Sequence, residues 1–134
     1  MLQEKIFLRV RYAETDQMGY VYYGNYPQYF EVARVEALRS KGITYKKMEE
    51  EGIIMPVLDL NIKYIRPAQY DDLLCIHTSI TKITGSRIFF EYEIYNEKEE
   101  LLNKAQTTLV FVDTATQRPC RCPEEIIKLL NAEG

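Results

Sequence analysis

Gly24-Asn25-Tyr26-Pro27-Gln28-Tyr29-Phe30-Glu31-Val32-Ala33-Arg34-Val35-Glu36-Ala37-Leu38-Arg39-Ser40-Lys41-Gly42 is the stretch around which the rest of the chain organises. Tyr26, Phe30, Ala33 and Ala37 recur at three-to-four spacing, the period of one helical face. Asn25 suits the cap position, and Pro27 is tolerated in a first turn whose amides lack partners inside the helix. Gly42 supplies the stop. Glu31, Arg34, Glu36 and Arg39 read as a polar side, while Tyr29, Val32 and Val35 widen the apolar one. A helix apolar on so much of its surface is expected to be buried on most sides, wrapped by a sheet.

The flanking segments supply that sheet. Ile6, Leu8, Val10 and Tyr12 alternate with Arg9 and Arg11, predicting a half-buried strand over 6–12. A polar stretch, Ala13 to Gly19, then leads through Tyr20, Tyr22 and Tyr23 to the helix. Beyond Gly42, Thr44 caps a short charged helix from Tyr45 to Glu51 that Gly52 ends. Leu58 to Tyr64 alternates up to the Arg66-Pro67 break, and Leu74 to Ile80 resumes the pattern. Thr84-Gly85-Ser86 reads as a hairpin turn into Ile88 to Ile94. A further turn near 96–100 returns the chain into 101–113, and Pro123-Glu124-Glu125 opens a short terminal helix with acids at its positive end. The order predicts an α+β protein: an antiparallel five-stranded sheet around one long central helix, a single domain over 1–134. One helix cannot cover both faces of such a sheet and its edges need protection, so a dimer or larger homo-oligomer is expected.

Composition narrows the function. With 17 basic against 20 acidic residues, a net charge of -3 and no basic run, no nucleic-acid partner is expected. No segment has the apolar length of a membrane span or a leader peptide, so no membrane insertion is expected. Three cysteines, two of them at Cys120 and Cys122, fit reduced thiols in the cytoplasm. A metal site at that pair lacks further ligands, and none is expected. The one histidine, His77, falls within a strand, so a Ser-His or Cys-His couple is not expected and a hydrolytic base would be a carboxylate.

Glu14 and Asp16 precede the helix start. The first amides of a helix are unpaired and carry its positive dipole end, so a carbonyl oxygen placed there is polarised. A carboxylate beside it can attack the carbonyl or activate water, and a thioester needs little more. From these residues alone, the turn or capping reading of Asp16 stands ahead of the catalytic one. The tyrosines at 20, 22, 23, 26 and 29 suit an acyl pocket or simply a core or interface. Arg66, Lys82 and Arg87 suit a phosphorylated carrier or solvent.

The run Asp16-Gln17-Met18-Gly19-Tyr20-Val21-Tyr22-Tyr23-Gly24-Asn25-Tyr26, followed by Tyr29-Phe30-Glu31-Val32-Ala33-Arg34, resembles the signature of the hydroxybenzoyl-CoA thioesterase family, which includes bacterial acyl-CoA thioesterases encoded beside the Tol-Pal system. Tyr64-Ile65-Arg66-Pro67-Ala68-Gln69-Tyr70-Asp71-Asp72 also looks like that family's link between its second and third strands, so the likeness covers nearly the whole chain. The resemblance implies a hotdog fold assembled as dimers or dimers of dimers with sites at the subunit interface, and an acyl-CoA thioesterase that needs no cofactor, since coenzyme A belongs to the substrate. It places the catalytic aspartate on Asp16, the oxyanion-binding amide on Tyr23 or Gly24, the cap that holds them on Asn25, and contacts to coenzyme A phosphate on Ser86 and Arg87. Many Tol-Pal-associated members have histidine where Tyr23 stands and the hydroxybenzoyl-CoA branch has tyrosine, a departure that counts against assignment to the first branch. Release of acyl groups from a carrier protein, or a non-catalytic acyl-CoA-binding dimer, are the alternative readings.

Overall fold

The computed structural model describes residues 1–131. Helix α1 spans Tyr26–Arg39, with Pro27 in its first turn, and a 3-10 turn over Tyr23–Asn25 feeds into it. At the other end Gly42 adopts a φ of 82°, and the amides of Gly42 and Ile43 close back on Arg39 and Leu38. Tyr26, Tyr29, Phe30, Ala33, Ala37 and Leu38 face the core.

Three positions on α1 depart from the sequence reading. Val32 is 41% exposed and Val35 only half-buried, so the helix is covered on one side rather than most sides. At about 100° per residue, Val32 points nearly opposite Phe30. Arg34, expected on the polar side, is only 6% exposed. It lies four residues after Phe30 and four before Leu38, and helical geometry puts it on their row whatever its polarity.

The strands are β1 (Gln3–Arg9), β2 (Ile53–Ile54), β3 (Val57–Tyr64), β4 (Leu73–Thr84), β5 (Arg87–Tyr95), β6 (Leu101–Val110), β7 (Val112–Asp113) and β8 (Arg118–Pro119). The main sheet runs β1-β4-β5-β6-β3, antiparallel throughout, and curls about the inner face of α1 as the hotdog fold does. Strands β4, β5 and β6 form the expected meander. Between β4 and β5 only Gly85 and Ser86 intervene, and a positive φ at Gly85 alone fits a type II′ turn. The expected strand over 101–113 is split at the buried Phe111, and β2, β7 and β8 form a second, three-stranded sheet. Strand β1 ends at Arg9, three residues earlier than its alternation suggests, because Tyr12–Glu14 winds into a 3-10 turn. Helix α2 (Tyr45–Glu50) is capped by Thr44, whose Oγ1 accepts the Lys47 amide at 3.2 Å, and α3 spans Glu124–Asn131.

Leu74, Ile76, Ile88, Phe90, Tyr92 and Ile94 line the inner face against α1, which packs chiefly on β1 and β4. The far edge is left open. On β3, Leu60 is 38% and Tyr64 49% exposed although their side of the strand faces inward. No helix among the described residues is long and apolar enough to cross a membrane.

Candidate functional site

Asp16 sits in a loop that is closed on itself. Thr15 and Val21 pair as an isolated bridge, the Asp16 amide donates to the Tyr20 carbonyl at 2.7 Å, and Gly19, at φ 80°, donates to the Asp16 carbonyl. Asp16 Oδ1 accepts the amides of Met18 (2.9 Å) and Tyr20 (3.2 Å). The residue is therefore the turn former that its chemistry allows. It is also exposed, and its second oxygen, Oδ2, accepts no hydrogen bond among the described residues.

Glu14 fastens this loop to the helix start. Its buried carboxylate accepts the Arg11 amide (2.8 Å), the Arg11 guanidinium (3.0 and 3.1 Å) and the Tyr29 hydroxyl (2.9 Å). Its carbonyl accepts the Tyr22 amide at 3.0 Å and Nδ2 of Asn25 at 2.8 Å. Burial pushes the Glu14 carboxyl upward, but these donors outweigh it and hold the group below its ordinary value. Burial and the Glu14 carboxylate together push the Tyr29 phenol far up, so it stays a donor. Asn25 does not cap α1, as expected of it; its side chain is spent on Glu14. It still holds the helix start in place, by a different bond.

With Tyr22 bonded to Glu14 and the Asn25 amide bonded to the Tyr22 carbonyl, the amides of Tyr23 and Gly24 are left with no backbone acceptor among the described residues. Tyr23 is 65% exposed, and its carbonyl accepts the Tyr64 hydroxyl from β3 at 3.3 Å. A Cβ on Gly24 would come within 2.7 Å of the Tyr22 ring. Tyr26 packs edge-on against Tyr29 and Tyr64 and accepts the Ala68 amide. The loop acid at Asp16 and the unpaired amides at Tyr23 and Gly24 thus share one scaffold. The sequence marks Glu14 only as a loop acid; its signal as a brace is the pairing with Arg11 three residues earlier.

Ser86 and Arg87 lie elsewhere. Ser86 is in the β4–β5 turn, its carbonyl accepting the Phe111 amide, and the exposed Arg87 sits opposite Val110 on β6, whereas Tyr64 sits opposite Asn103. Seven residues of β6 separate those positions, roughly 23 Å along the sheet. Arg66 pairs with Glu100 at 3.5 Å and Lys82 lies over the Phe89 ring. His77 packs at a tilt against Tyr95 on the outer sheet face, where Lys5, Lys63, Glu91, Glu93 and Lys104 line a concavity of about 860 Å³ away from Asp16. Among the described residues no cluster of His, Cys, Asp or Glu could hold a metal ion.

Residues 18–103 match the model of a family described as the thioesterase superfamily. The chain is 40% identical to a putative acyl-CoA thioesterase of Bacillus subtilis, YneP, over 84% of this chain and 81% of that protein. It is 34% identical, over 90% of both chains, to the acyl-CoA thioester hydrolase YbgC of Escherichia coli. Among solved structures it superposes on the DHNA-CoA thioesterase of Staphylococcus aureus with a TM-score of 0.86 and 40% identity, covering 90% of this chain and 81% of that one.

Proposed function

The chain belongs to the thioesterase superfamily, and from that premise we propose that it hydrolyses acyl-CoA to the free acid and coenzyme A, with Asp16 as the catalytic carboxylate. The observation that carries this reading is the pair of unpaired amides at Tyr23 and Gly24, tied through Glu14 to the loop that presents a free oxygen of Asp16. The thioester oxygen accepts from those amides, which strengthen their hold as negative charge develops on it. Asp16 either attacks the carbonyl carbon, with water cleaving the resulting anhydride, or takes a proton from water as that water attacks. In both routes the C–S bond breaks and coenzyme A leaves as a thiolate. No cofactor is required, and Asn25 serves by holding the helix start.

The working unit is a homodimer formed along β3, alone or paired into a tetramer. Its open edge favours pairing with a second copy. An antiparallel pairing of β3 with β3 would set the partner's β4–β5 turn beside this chain's Tyr64, and so carry Ser86 and Arg87 of one chain toward Asp16 of the other. Those two residues then contact the phosphates of coenzyme A. We place this single domain in the cytoplasm, where its three unpaired thiols would persist.

The test is free-thiol release from short, medium, long and aromatic acyl-CoAs by the wild type and Asp16→Asn. The variant should lose about 10²- to 10⁴-fold in kcat while Tm holds within a few degrees. An unchanged rate would remove Asp16 from the mechanism, and silence across the panel in the wild type would remove the reaction.

A further inference from the structure

Each N–H proposed to hold the thioester oxygen belongs to a peptide unit that ends in a carbonyl. The Tyr23 N–H shares its unit with the Tyr22 carbonyl, and the Gly24 N–H shares its unit with the Tyr23 carbonyl. A peptide that accepts a hydrogen bond at its carbonyl becomes a stronger donor at its N–H, because the two bonds polarise one another. The first unit has such a bond inside the turn, from the Asn25 amide at 2.9 Å. The second gains one from outside the turn: the Tyr64 hydroxyl, 41 residues away on β3, donates to the Tyr23 carbonyl at 3.3 Å.

Tyr64 is held where it can make that bond. The next two residues, Ile65 and Arg66, both donate their amides to the Leu102 carbonyl at 2.9 Å and pin the end of β3 to β6. The Tyr64 ring packs edge-on against the buried Tyr26 at 5.6 Å, and Tyr26 packs edge-on against Tyr29. Tyr29 in turn donates to Glu14, whose carbonyl holds Tyr22 and Asn25. The turn is therefore held from two sides, by Glu14 at Tyr22 and Asn25 and by Tyr64 at Tyr23. A half-exposed tyrosine at a strand edge can leave its hydroxyl to water; this one turns it to a backbone carbonyl. Burial pushes the Tyr64 phenol above its ordinary value, so it keeps its proton and stays a donor. At 3.3 Å the bond is long for a hydroxyl donor, which leaves it room to shorten as charge develops at the thioester oxygen.

We propose that Tyr64 is a positioning residue for the hydrolysis: by donating to the Tyr23 carbonyl it fixes the Tyr23–Gly24 peptide and strengthens the Gly24 N–H as a donor to the thioester oxygen. This rests on the acyl-CoA reading of the site. Tyr64 acts through the peptide and does not itself touch the substrate. As negative charge grows on the thioester oxygen it draws on the Gly24 N–H, which makes the Tyr23 carbonyl oxygen more negative and tightens the bond from Tyr64. The gain is therefore largest in the transition state and falls on kcat.

Two variants separate the hydroxyl from the ring: Tyr64→Phe keeps the packing on Tyr26 and removes only the donor, and Tyr64→Leu removes both. In free-thiol release from the acyl-CoA panel, Tyr64→Phe should fall about 3- to 10-fold in kcat and equally in kcat/KM, with KM, Tm and oligomeric state unchanged. The second readout is the infrared carbonyl stretch of benzoyl-CoA, isotopically labelled at the thioester carbon and bound to Asp16→Asn, which holds it uncleaved. That stretch should lie below its value in water, and adding Tyr64→Phe should remove part of the difference. Wild-type kcat in Tyr64→Phe, a loss that appears only in KM, or a loss confined to Tyr64→Leu would each assign Tyr64 to packing or binding and overturn the proposal. If the wild type turns over no acyl-CoA, the hydrolysis reading fails instead, and the stretch of the bound thioester still decides the role of Tyr64: a stretch equal in the chains with and without the hydroxyl overturns it.

Discussion

Four donors converge on the Glu14 carboxylate: the Arg11 amide, two guanidinium nitrogens of Arg11 and the Tyr29 hydroxyl. Since this carboxyl is held below its ordinary value in the folded chain, its stabilising effect is fully present above the unfolded value and is lost as pH falls through the folded one. Glu14→Gln keeps the shape and removes the charge, at a cost of about 2 kcal/mol near neutrality in urea unfolding. The gap between the two chains should be full above the ordinary glutamate range and close only as pH falls through the lower folded value, where Glu14 too becomes uncharged. A gap that stayed constant with pH would mean that the carboxylate is not the source. Gly24 poses a different question, because the obstacle to its Cβ is the movable Tyr22 ring. Gly24→Ala should leave Tm within a few degrees yet lower kcat about 10- to 100-fold, by displacing the amides proposed to receive the thioester oxygen. Steady-state kinetics and a melting curve on the same preparation separate those effects.

The elements were legible where local chemistry decides them. Gly42 and Gly52 end their helices at positive φ, Thr44 caps α2, and the Gly85-Ser86 turn sets the register of β4 on β5. What stayed hidden depends on contacts distant in sequence. The alternation of Ile6 to Tyr12 runs on past Arg9, but Glu14 folds back on the Arg11 amide and ends the strand. Asn25 has the chemistry of a cap and finds Glu14, eleven residues away, instead. Residue type alone points Arg34 to the wet side, whereas its place on the row of Phe30 and Leu38 puts it inside. For the site, the sequence places Asp16 in the loop that leads into the Tyr23–Asn25 turn, while the Glu14 brace that ties that loop to the turn is not readable from it. The β5–β6 turn offers a check on element-level strain, since Glu99 sits at φ 62°. Glu99→Gly should raise stability by about 0.5–1 kcal/mol, a Tm gain of roughly 2–4 °C, because glycine adopts that conformation without a Cβ clash. An unchanged or lower Tm would place the conformation's cost below the added entropy of glycine in the unfolded chain.

On the scale of the whole molecule, one chain holds Tyr64, whose hydroxyl bonds the helix start, and Arg87 at opposite ends of its main sheet, and the proposed two-fold pairing along β3 would bring such ends together. An antiparallel pairing of β3 with its copy makes a definite claim about which chain supplies which residue: each site takes Asp16 from one chain and Arg87 from the other. Co-expression of Asp16→Asn chains with Arg87→Glu chains tests it. In a mixed dimer one site then combines both defects, while the other receives Asp16 from the second chain and Arg87 from the first and is intact. With random assembly half the dimers are mixed, so about a quarter of all sites should be wild type, and the mixture should recover about a quarter of wild-type turnover at low acyl-CoA concentration. If both residues served the same chain's site, every site would carry one defect and no activity would return beyond that of the separate variants. Separating the mixed dimers by differential tags, and finding them active at about half the wild-type rate, would distinguish true complementation from a residual rate in either parent.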